Sequence, residues 1–289
     1  MRSFSEILSH CASSGLSFAE QALVLESAET GLSRETLSRG MASRLADMEL
    51  SVREALSGEW HGLLVPGEAH LLEHYGKGRA AFSSPFVITA SRIALAVSTY
   101  NAAMGRIVAA PTAGSCGILP GMLFSFREHF GENQETLLSG LLAAAAVGKI
   151  TAARATLAGS SGGCQAECGA AAAMGAAALV AMQSGNPEAV ASAVALTFKS
   201  VLGLVCDPVG GLVESPCIKR NATLVSLGSL AADLALAGVK SLIPADEVVD
   251  TMGQVGRALP ESLRETARGG LAVSPTGRSL AARLEEGTS

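Results

Sequence analysis

The sequence predicts an all-α protein, a helical bundle with buried Ala/Gly-rich central helices and glycine-rich loops at the helix ends. No segment shows the alternation of apolar and polar residues that is typical of a half-buried strand. Long segments instead repeat apolar residues every three to four positions, and short runs of Gly, Pro and Ser separate them. Apolar residues make up 48% of the chain but aromatic residues only 4%. Small side chains therefore supply the core and let helices approach closely.

The first part of the chain, residues 3–57, has polar and well-patterned helices. Ser17 and Ser33 stand where helix N-caps are expected. The stretch "SGEWHGLLVPGEAH" (57–70) then interrupts the helical pattern and contains the single Trp of the chain. We expect residues 1–82 to form peripheral helices around a core bundle.

We expect the core bundle to cover residues 83–269 and the polar segment 270–289 to be a loose tail. Neither an internal repeat nor a clear linker divides the sequence, so we expect a single all-α domain over residues 1–289. The helices of the bundle are predicted at 87–110, 122–129, 134–157, 165–184, 187–204, 218–238 and 245–257.

Charge and patterning also exclude several classes of function. The net charge is −5 and no block of Lys and Arg occurs, so we expect no nucleic-acid partner. The start "MRSFSEILSH" lacks the apolar core of a secretory signal, which predicts a cytoplasmic chain with reduced cysteines. The uncharged stretch between Glu167 and Glu188 is nearly long enough to span a membrane. Its Ala and Gly content predicts a buried central helix instead, and no membrane partner.

Four of the six cysteines lie in or beside small-residue loops: Cys116, Cys164, Cys206 and Cys217. Cys164 and Cys217 stand at predicted helix starts, where free N–H groups and the helix dipole lower a thiol pKa. Cys206 follows an apolar helix, and Gly210 and Gly211 allow the chain to turn back so that Cys206 approaches Cys217. Three thiolates on rigid helix ends suit an iron–sulfur cluster or zinc.

Three long motifs carry a resemblance to a known family: "APTAGSCGILPG", "GGCQAECG" and "CDPVGGLVESPCIKRNA". Together they resemble the iron–sulfur-dependent L-serine dehydratases, in particular the α-chain of the two-subunit form. The resemblance covers nearly the whole chain and implies an all-α lyase that deaminates L-serine to pyruvate and ammonia. Such a reaction belongs to amino-acid degradation and gluconeogenesis.

The resemblance also implies a cofactor and a partner. Cys164, Cys206 and Cys217 match the cysteines that hold a [4Fe–4S] cluster in the family, and the fourth iron keeps an open position. That iron acts as a Lewis acid toward the substrate hydroxyl. A separate β-chain is expected, because nothing in this sequence resembles the family's smaller second domain.

Further candidate residues surround these cysteines. Cys168 lies one helical turn after Cys164, so spacing alone leaves it open as a ligand, whereas the resemblance places it outside the cluster. The stretch "PTAGSCG" precedes a helix, and its backbone N–H groups are candidates to bind the substrate carboxylate. The residues expected to bind substrate are Asn101, Thr112, Gly114 and Ser115.

Lys219 and His61 are the catalytic candidates of this chain, and Lys219 is also a candidate donor to the substrate carboxylate. The general base is left open between this chain and its partner. His61 lies in "HGLLVPGEA", where the family often has a glycine-rich substrate loop, so this stretch departs from the usual pattern. Glu214 is a candidate to orient the loop before Cys217. Two alternative functions are an L-cysteine desulfidase of related type and a zinc-stabilised helical binding module in which Cys168 completes the site.

Overall fold

In a computed structural model, described over residues 1–78, 81–131 and 133–287, the chain folds into helices joined by short loops. Over those residues no strand occurs beyond one bridge between Cys206 and Arg264. The described α-helices are α1 Phe4–Ser14, α2 Phe18–Thr30, α3 Arg34–Ser57, α4 Ala69–Gly78, α5 Pro85–Ala102, α6 Ile118–Phe130, α7 Gln134–Arg154, α8 Gly159–Gly162, α9 Ala170–Met182, α10 Pro187–Ser200, α11 Cys217–Leu236, α12 Ala245–Ala258 and α13 Pro275–Gly287. The prediction of an all-α fold is confirmed.

The N-terminal helices begin at the predicted caps. The Ser17 hydroxyl accepts a hydrogen bond from the Glu20 amide, and the Glu20 carboxylate accepts one from the Ser17 amide, which forms a capping box. The Ser33 hydroxyl accepts a bond of 3.1 Å from the Thr36 amide. Helices α2 and α3 pack against α7, and α3 also packs against α5.

Helix α9 is the centre of the bundle, and every residue from Ala170 to Val180 is buried. Helices α6, α7, α10 and α11 all pack against it. A Cβ atom at Gly228 of α11 would lie 2.8 Å from the Ala172 carbonyl oxygen, so the absence of a side chain permits this close approach. The Ala/Gly-rich composition therefore reflects helices that pass directly against one another's backbones.

Within the described part of the chain, two helical segments are long and apolar enough to cross a membrane by length and composition, α7 and the segment Gln165–Met182. In the second, 89% of the apolar window is buried inside the protein, and in α7 56% is buried. Neighbouring helices cover these segments, as is typical of core helices.

Some boundaries differ from the sequence prediction. Helix α5 ends at Ala102 instead of 110, because Met104 takes a left-handed conformation (φ 64°) and the Gly105 amide turns back to the Tyr100 carbonyl. Helix α10 likewise ends at Ser200, four residues earlier than predicted.

The expectation of a loose tail after residue 269 is wrong, because α13 is a regular helix. The Ser274 hydroxyl accepts a bond of 3.1 Å from the Gly277 amide, and Pro275 fills the first helical position. The Leu284 side chain of α13 lies against Gly210, so the helix covers the turn that leads to Cys217.

A candidate site of four thiols at the start of the central helix

Four buried thiols surround the N-terminal end of the central helix. The chain enters α9 through a π-helical turn, Gln165–Gly169, a distortion that is frequent at functional sites. All six cysteines are free and buried. The four thiols that perturb one another's pKa values are Cys164, Cys168, Cys206 and Cys217. The structure therefore brings the three predicted ligands together, with Cys168 beside them.

The C-terminal segment holds Cys206 in place. The Cys206 amide donates to the Leu263 carbonyl over 2.9 Å, and the Glu265 amide donates to the Cys206 carbonyl over 2.7 Å. The buried Asp207 carboxylate accepts a bond of 2.8 Å from the Leu271 amide. We define residues 206–217 as the cysteine loop. Residues much later in the sequence therefore fix its first half.

The second half of the cysteine loop reverses direction and leads into α11. Gly210 and Gly211 have φ values of 62° and 73°, the left-handed region that glycine adopts without strain. Cys217 is then the first residue of α11. The predicted reversal at the two glycines is confirmed.

Arg220, one turn after Cys217, is the cation that faces the thiols. Its guanidinium donates to the Val205 carbonyl and to the Asp207 carboxylate, each over 2.9 Å, and its charge lowers the pKa of the Cys164 thiol. Sequence analysis missed this role. The available signal was the spacing, because residues three and four positions after Cys217 share its helix face.

Asn221 is the second residue on that face, and it is fully buried. Its amide nitrogen donates to the Gly114 carbonyl over 2.8 Å and to the Cys217 carbonyl over 2.9 Å. Its side-chain oxygen accepts a bond of 3.0 Å from the Gly117 amide. Asn221 therefore fastens α11 to the glycine loop, which we define as residues 111–117.

Burial and neighbouring charges set the thiol pKa values. The neighbouring Cys168 thiol lowers the pKa of Cys164, and the Arg220 charge lowers it further. Burial raises the pKa of Cys206 and raises that of Cys217 to about 12, and Cys164 adds to both shifts. The prediction that the helix start lowers the pKa of Cys217 is therefore wrong, because desolvation outweighs the dipole.

Two carboxylates that sequence analysis did not single out flank Cys206. The ligand atoms of Glu167, Cys206 and Glu265 all lie within 4.8 Å of one another. Burial raises the pKa of Glu167, and the Thr112 hydroxyl opposes this shift. A Cβ atom at Gly159 would overlap the Glu167 carboxylate and lie 3.1 Å from the Cys206 sulfur. The wall beside Cys206 therefore has no room for a side chain at residue 159.

The donor set fits a metal or iron–sulfur group. Thiolates are soft ligands that select zinc, copper(I) or iron–sulfur clusters, whereas magnesium and calcium prefer oxygen. Burial and mutual repulsion disfavour the thiolate forms of Cys206 and Cys217. A cationic centre removes this penalty, since coordination deprotonates a thiol outright. Arg220 adds a fixed positive charge beside the Cys164 and Cys217 sulfur atoms.

The glycine loop contains a short 3₁₀ turn, Ala113–Ser115, that leads into α6. Among the described residues, the amides of Ala113 and Gly114 have no hydrogen-bond acceptor. The Ser115 hydroxyl is fully buried and lies 3.2 Å from the Thr112 hydroxyl, so it supports the turn. Two adjacent free N–H groups form the kind of concavity that binds a carboxylate.

The remaining predicted residues do not lie among the thiols, and one of them, Asn101, contacts the glycine loop. The Asn101 amide donates to the Ala113 carbonyl over 3.3 Å, which places Asn101 as a support of the glycine loop. His61 is exposed on the wall of a cleft of about 460 Å³ between α3, α4 and α5. Lys219 forms an ion pair with Glu68, and burial lowers its pKa. Both candidate bases therefore belong to the His61 loop, defined as residues 58–68, or contact it.

Fold and site together define an all-α protein in which buried thiols surround the start of an alanine-rich central helix. Residues 13–272 match the family model described as "Serine dehydratase alpha chain". The chain is 45% identical to the probable L-serine dehydratase, alpha chain, of Bacillus subtilis (strain 168), over 88% of this chain and 85% of that protein. It is 41% identical to the L-serine dehydratase, alpha chain, of Peptoniphilus asaccharolyticus, over 95% of each chain.

A longer relative also matches. L-serine dehydratase 2 of Escherichia coli (strain K12) is 34% identical over 94% of this chain, which covers 61% of that protein. The chain belongs to the serine dehydratase alpha chain family and is a lyase. The resemblance found in the sequence is therefore confirmed.

Proposed function

We propose that this chain is the α-chain of an iron–sulfur-dependent L-serine dehydratase, which converts L-serine to pyruvate and ammonia. The observation that carries the proposal is the convergence of Cys164, Cys206 and Cys217 at the start of α9, beside the glycine loop. The names of the relatives in Bacillus subtilis and Peptoniphilus asaccharolyticus support the substrate.

These three cysteines would hold a [4Fe–4S] cluster, which supplies a Lewis-acidic iron with an open position for the substrate hydroxyl. Cys168 has a different position, because its thiol donates to the Gly114 carbonyl over 3.8 Å and its sulfur accepts a bond of 3.9 Å from the Asn221 amide. It supports a ligand in this proposal and is not one itself.

The chain's own residues bind the amino acid. The free amides of Ala113 and Gly114 bind the substrate carboxylate, and the Thr112 hydroxyl, beside Glu167, adds a further donor. Asn101 and Ser115 hold these groups in position through hydrogen bonds within the glycine loop.

A base removes the α-proton while the β-hydroxyl leaves, which gives an enamine. The enamine becomes an imine, and water then releases pyruvate and ammonia. His61 is one candidate for this base, and its imidazole is exposed. Lys219 is the other candidate, but its ammonium group is paired with Glu68 and supports the His61 loop. The alternative is a base from the partner chain.

A soluble two-chain enzyme in the cytoplasm fits the relatives, which are named alpha chains. The longer Escherichia coli protein, of which this chain covers 61%, supports a β-chain that supplies the remaining part.

Anaerobic purification with and without the β-chain tests the function. Iron, sulfide and pyruvate are measured after cluster rebuilding, with L-serine and L-cysteine as separate substrates. We expect about four irons per chain and pyruvate formation from L-serine only when both chains are present. Full turnover by the single chain would contradict the partner, and faster release of sulfide from L-cysteine would reassign the substrate.

A four-thiolate zinc site is the second candidate, and the contact between Cys168 and Cys164 favours it. Metal analysis separates the two candidates, because a zinc protein is colourless and holds about one metal ion per chain. Cys168→Ser would release zinc from such a site but would retain iron in the proposed cluster.

A further inference from the structure

Glu214 is a buried carboxylate whose partners lie on a distant segment. It is 4% exposed. One oxygen accepts a bond of 2.9 Å from the Leu63 amide, and the other accepts bonds of 2.8 Å and 3.0 Å from the amides of Leu64 and Val65. Hydrogen bonds from backbone amides to an ionised carboxylate are about twice as strong as neutral ones. The three hydrogen bonds to the Glu214 side chain therefore fix the conformation of the His61 loop.

The His61 loop is shaped to receive this carboxylate. A Cβ atom at Gly62 would overlap the Glu214 carboxylate, so only glycine fits next to His61. The Gly62 amide donates to the Val65 carbonyl over 2.9 Å and closes the turn. The Val65 side chain is buried in a small apolar cluster with Ile218 of α11.

The same residue is built into the cysteine loop. The Glu214 carbonyl accepts a bond of 2.9 Å from the Ile218 amide and so shapes the first turn of α11, which carries Cys217. The preceding residue, Val213, has a methyl carbon 3.1 Å from the position of a Cβ atom at Gly114. Two consecutive residues of the cysteine loop, Val213 and Glu214, therefore contact both the glycine loop and the His61 loop.

We propose that Glu214 is a positioning residue that fastens the His61 loop to the cysteine loop. The placement of His61 relative to the glycine loop then depends on the same backbone that presents Cys217. The effect on catalysis rests on the proposed function, whereas the effect on the conformation of the His61 loop does not.

Hydrogen–deuterium exchange on the full chain tests the structural part. Glu214→Ala should speed exchange of the Leu63, Leu64 and Val65 amides by about tenfold or more. Glu214→Gln, which keeps one acceptor oxygen, should have a smaller effect. Unchanged protection of these amides in Glu214→Ala would overturn the proposal.

Asp246→Asn is the matched control, because the Asp246 carboxylate also accepts backbone amides, from Phe4 and Ser5, over 2.8 Å and 2.9 Å. It should speed exchange of Phe4 and Ser5 and leave the His61 loop protected. Loss of protection in the His61 loop of this control would also overturn the proposal, since the loop would then respond to general loosening.

Kinetics of the cluster-loaded two-chain enzyme test the catalytic part. Glu214→Gln should lower kcat/KM per iron by about tenfold, Glu214→Ala should lower it more, and Asp246→Asn should leave it unchanged. A loss of activity that only follows the loss of iron would overturn the role, because Glu214 would then merely support the cysteine loop. If the unaltered enzyme fails to turn over serine, the proposed function is wrong, and the exchange experiment still decides whether Glu214 holds the loop.

Discussion

Helix α9 and the cysteine loop lie side by side, but different forces hold them in place. In α9, all residues from Ala170 to Val180 are buried, and small side chains let other helices contact its backbone. The cysteine loop depends instead on single polar side chains. Asp207, Arg220 and Asn221 each bind the backbone of another part of the chain.

This difference indicates how substitutions act in each region. Packing energy in α9 is shared among many contacts, so a change there should cost stability and leave the site intact. A polar side chain in the loop leaves several buried partners unsatisfied when it is removed. Changes there should therefore affect metal content and activity in addition to stability.

The largest effect is expected from the thiols. Cys164→Ser, Cys206→Ser or Cys217→Ser should each abolish cluster absorbance and activity, because an alcohol at neutral pH does not replace a thiolate ligand. Iron and sulfide analysis and the visible spectrum of anaerobic protein measure this. Cys168→Ser is the control and should largely retain the cluster. Equal loss in all four variants would contradict the ligand assignment.

Asn221→Ala should have the next largest effect. It removes the hydrogen bonds from the Asn221 amide to the Gly114 carbonyl, the Cys217 carbonyl and the Cys168 sulfur, and it leaves the buried Gly117 amide without an acceptor. This loss should cost about 3 kcal/mol in the free energy of unfolding. Denaturant unfolding measures this cost, and the KM for serine should rise because the glycine loop loses its anchor.

Asn186→Ala is the matched control for Asn221. Asn186 caps α10 through one bond of 2.7 Å from the Ala189 amide. Its loss should cost about 1 kcal/mol and leave the KM unchanged. A similar loss in the free energy of unfolding for the two alanine variants would show that Asn221 stabilises the protein no more than an ordinary helix cap does.

Gly228→Ala tests the packing of α9. The added methyl would lie 2.8 Å from the Ala172 carbonyl, and the resulting overpacking should cost about 1–3 kcal/mol. Iron per folded chain should not change. Gly40→Ala in α3, where a methyl meets open space, should instead stabilise the protein by about 0.5–1 kcal/mol. Loss of iron in Gly228→Ala would contradict the expectation that a change in the packing of α9 leaves the site intact.

The smallest effect is expected at a surface ion pair. Hydrogen bonds from Lys149 and from the N-terminal amine lower the pKa of the exposed Glu29 to about 2. Because this value lies below that of the unfolded chain, the stabilisation is complete above about pH 4.5 and is lost as the pH falls toward 2. Thermal unfolding of Glu29→Gln should therefore differ from the unaltered protein at pH 7 and converge with it near pH 2. A constant difference would contradict the role of the charge.

Local signals predicted much of the fold. The caps Ser17 and Ser33 located helix starts, and the apolar period of three to four residues located the core helices. The end of α5 was not predicted, because the left-handed conformation of Met104 has no clear sequence signature. The tail was misread since α13 is polar, although Ser274 and Pro275 are ordinary start signals.

The candidate site was predicted as thiols and loops, and of the residues that hold them only Glu214 was named from the sequence, whereas Arg220 and Asn221 were not. The three sequence motifs located the glycine loop and the three cysteines. The structure brings the loop and these cysteines together. The partners of Arg220 and Glu214 depend on contacts between segments far apart in the sequence, which no local pattern contains. The raised pKa of Cys217 was missed for a related reason, because its burial depends on the whole fold.

The backbone pairing of Cys206 with residues 263 and 265 has a consequence for the order of synthesis. A chain that emerges from the ribosome exposes Cys164, Cys206 and Cys217 well before Leu263 and Leu271 leave the exit tunnel. Until then the Cys206 amide and the Asp207 carboxylate lack their partners. The Cys206 backbone and the Asp207 carboxylate therefore gain these partners only once residues 263–271 have been synthesised.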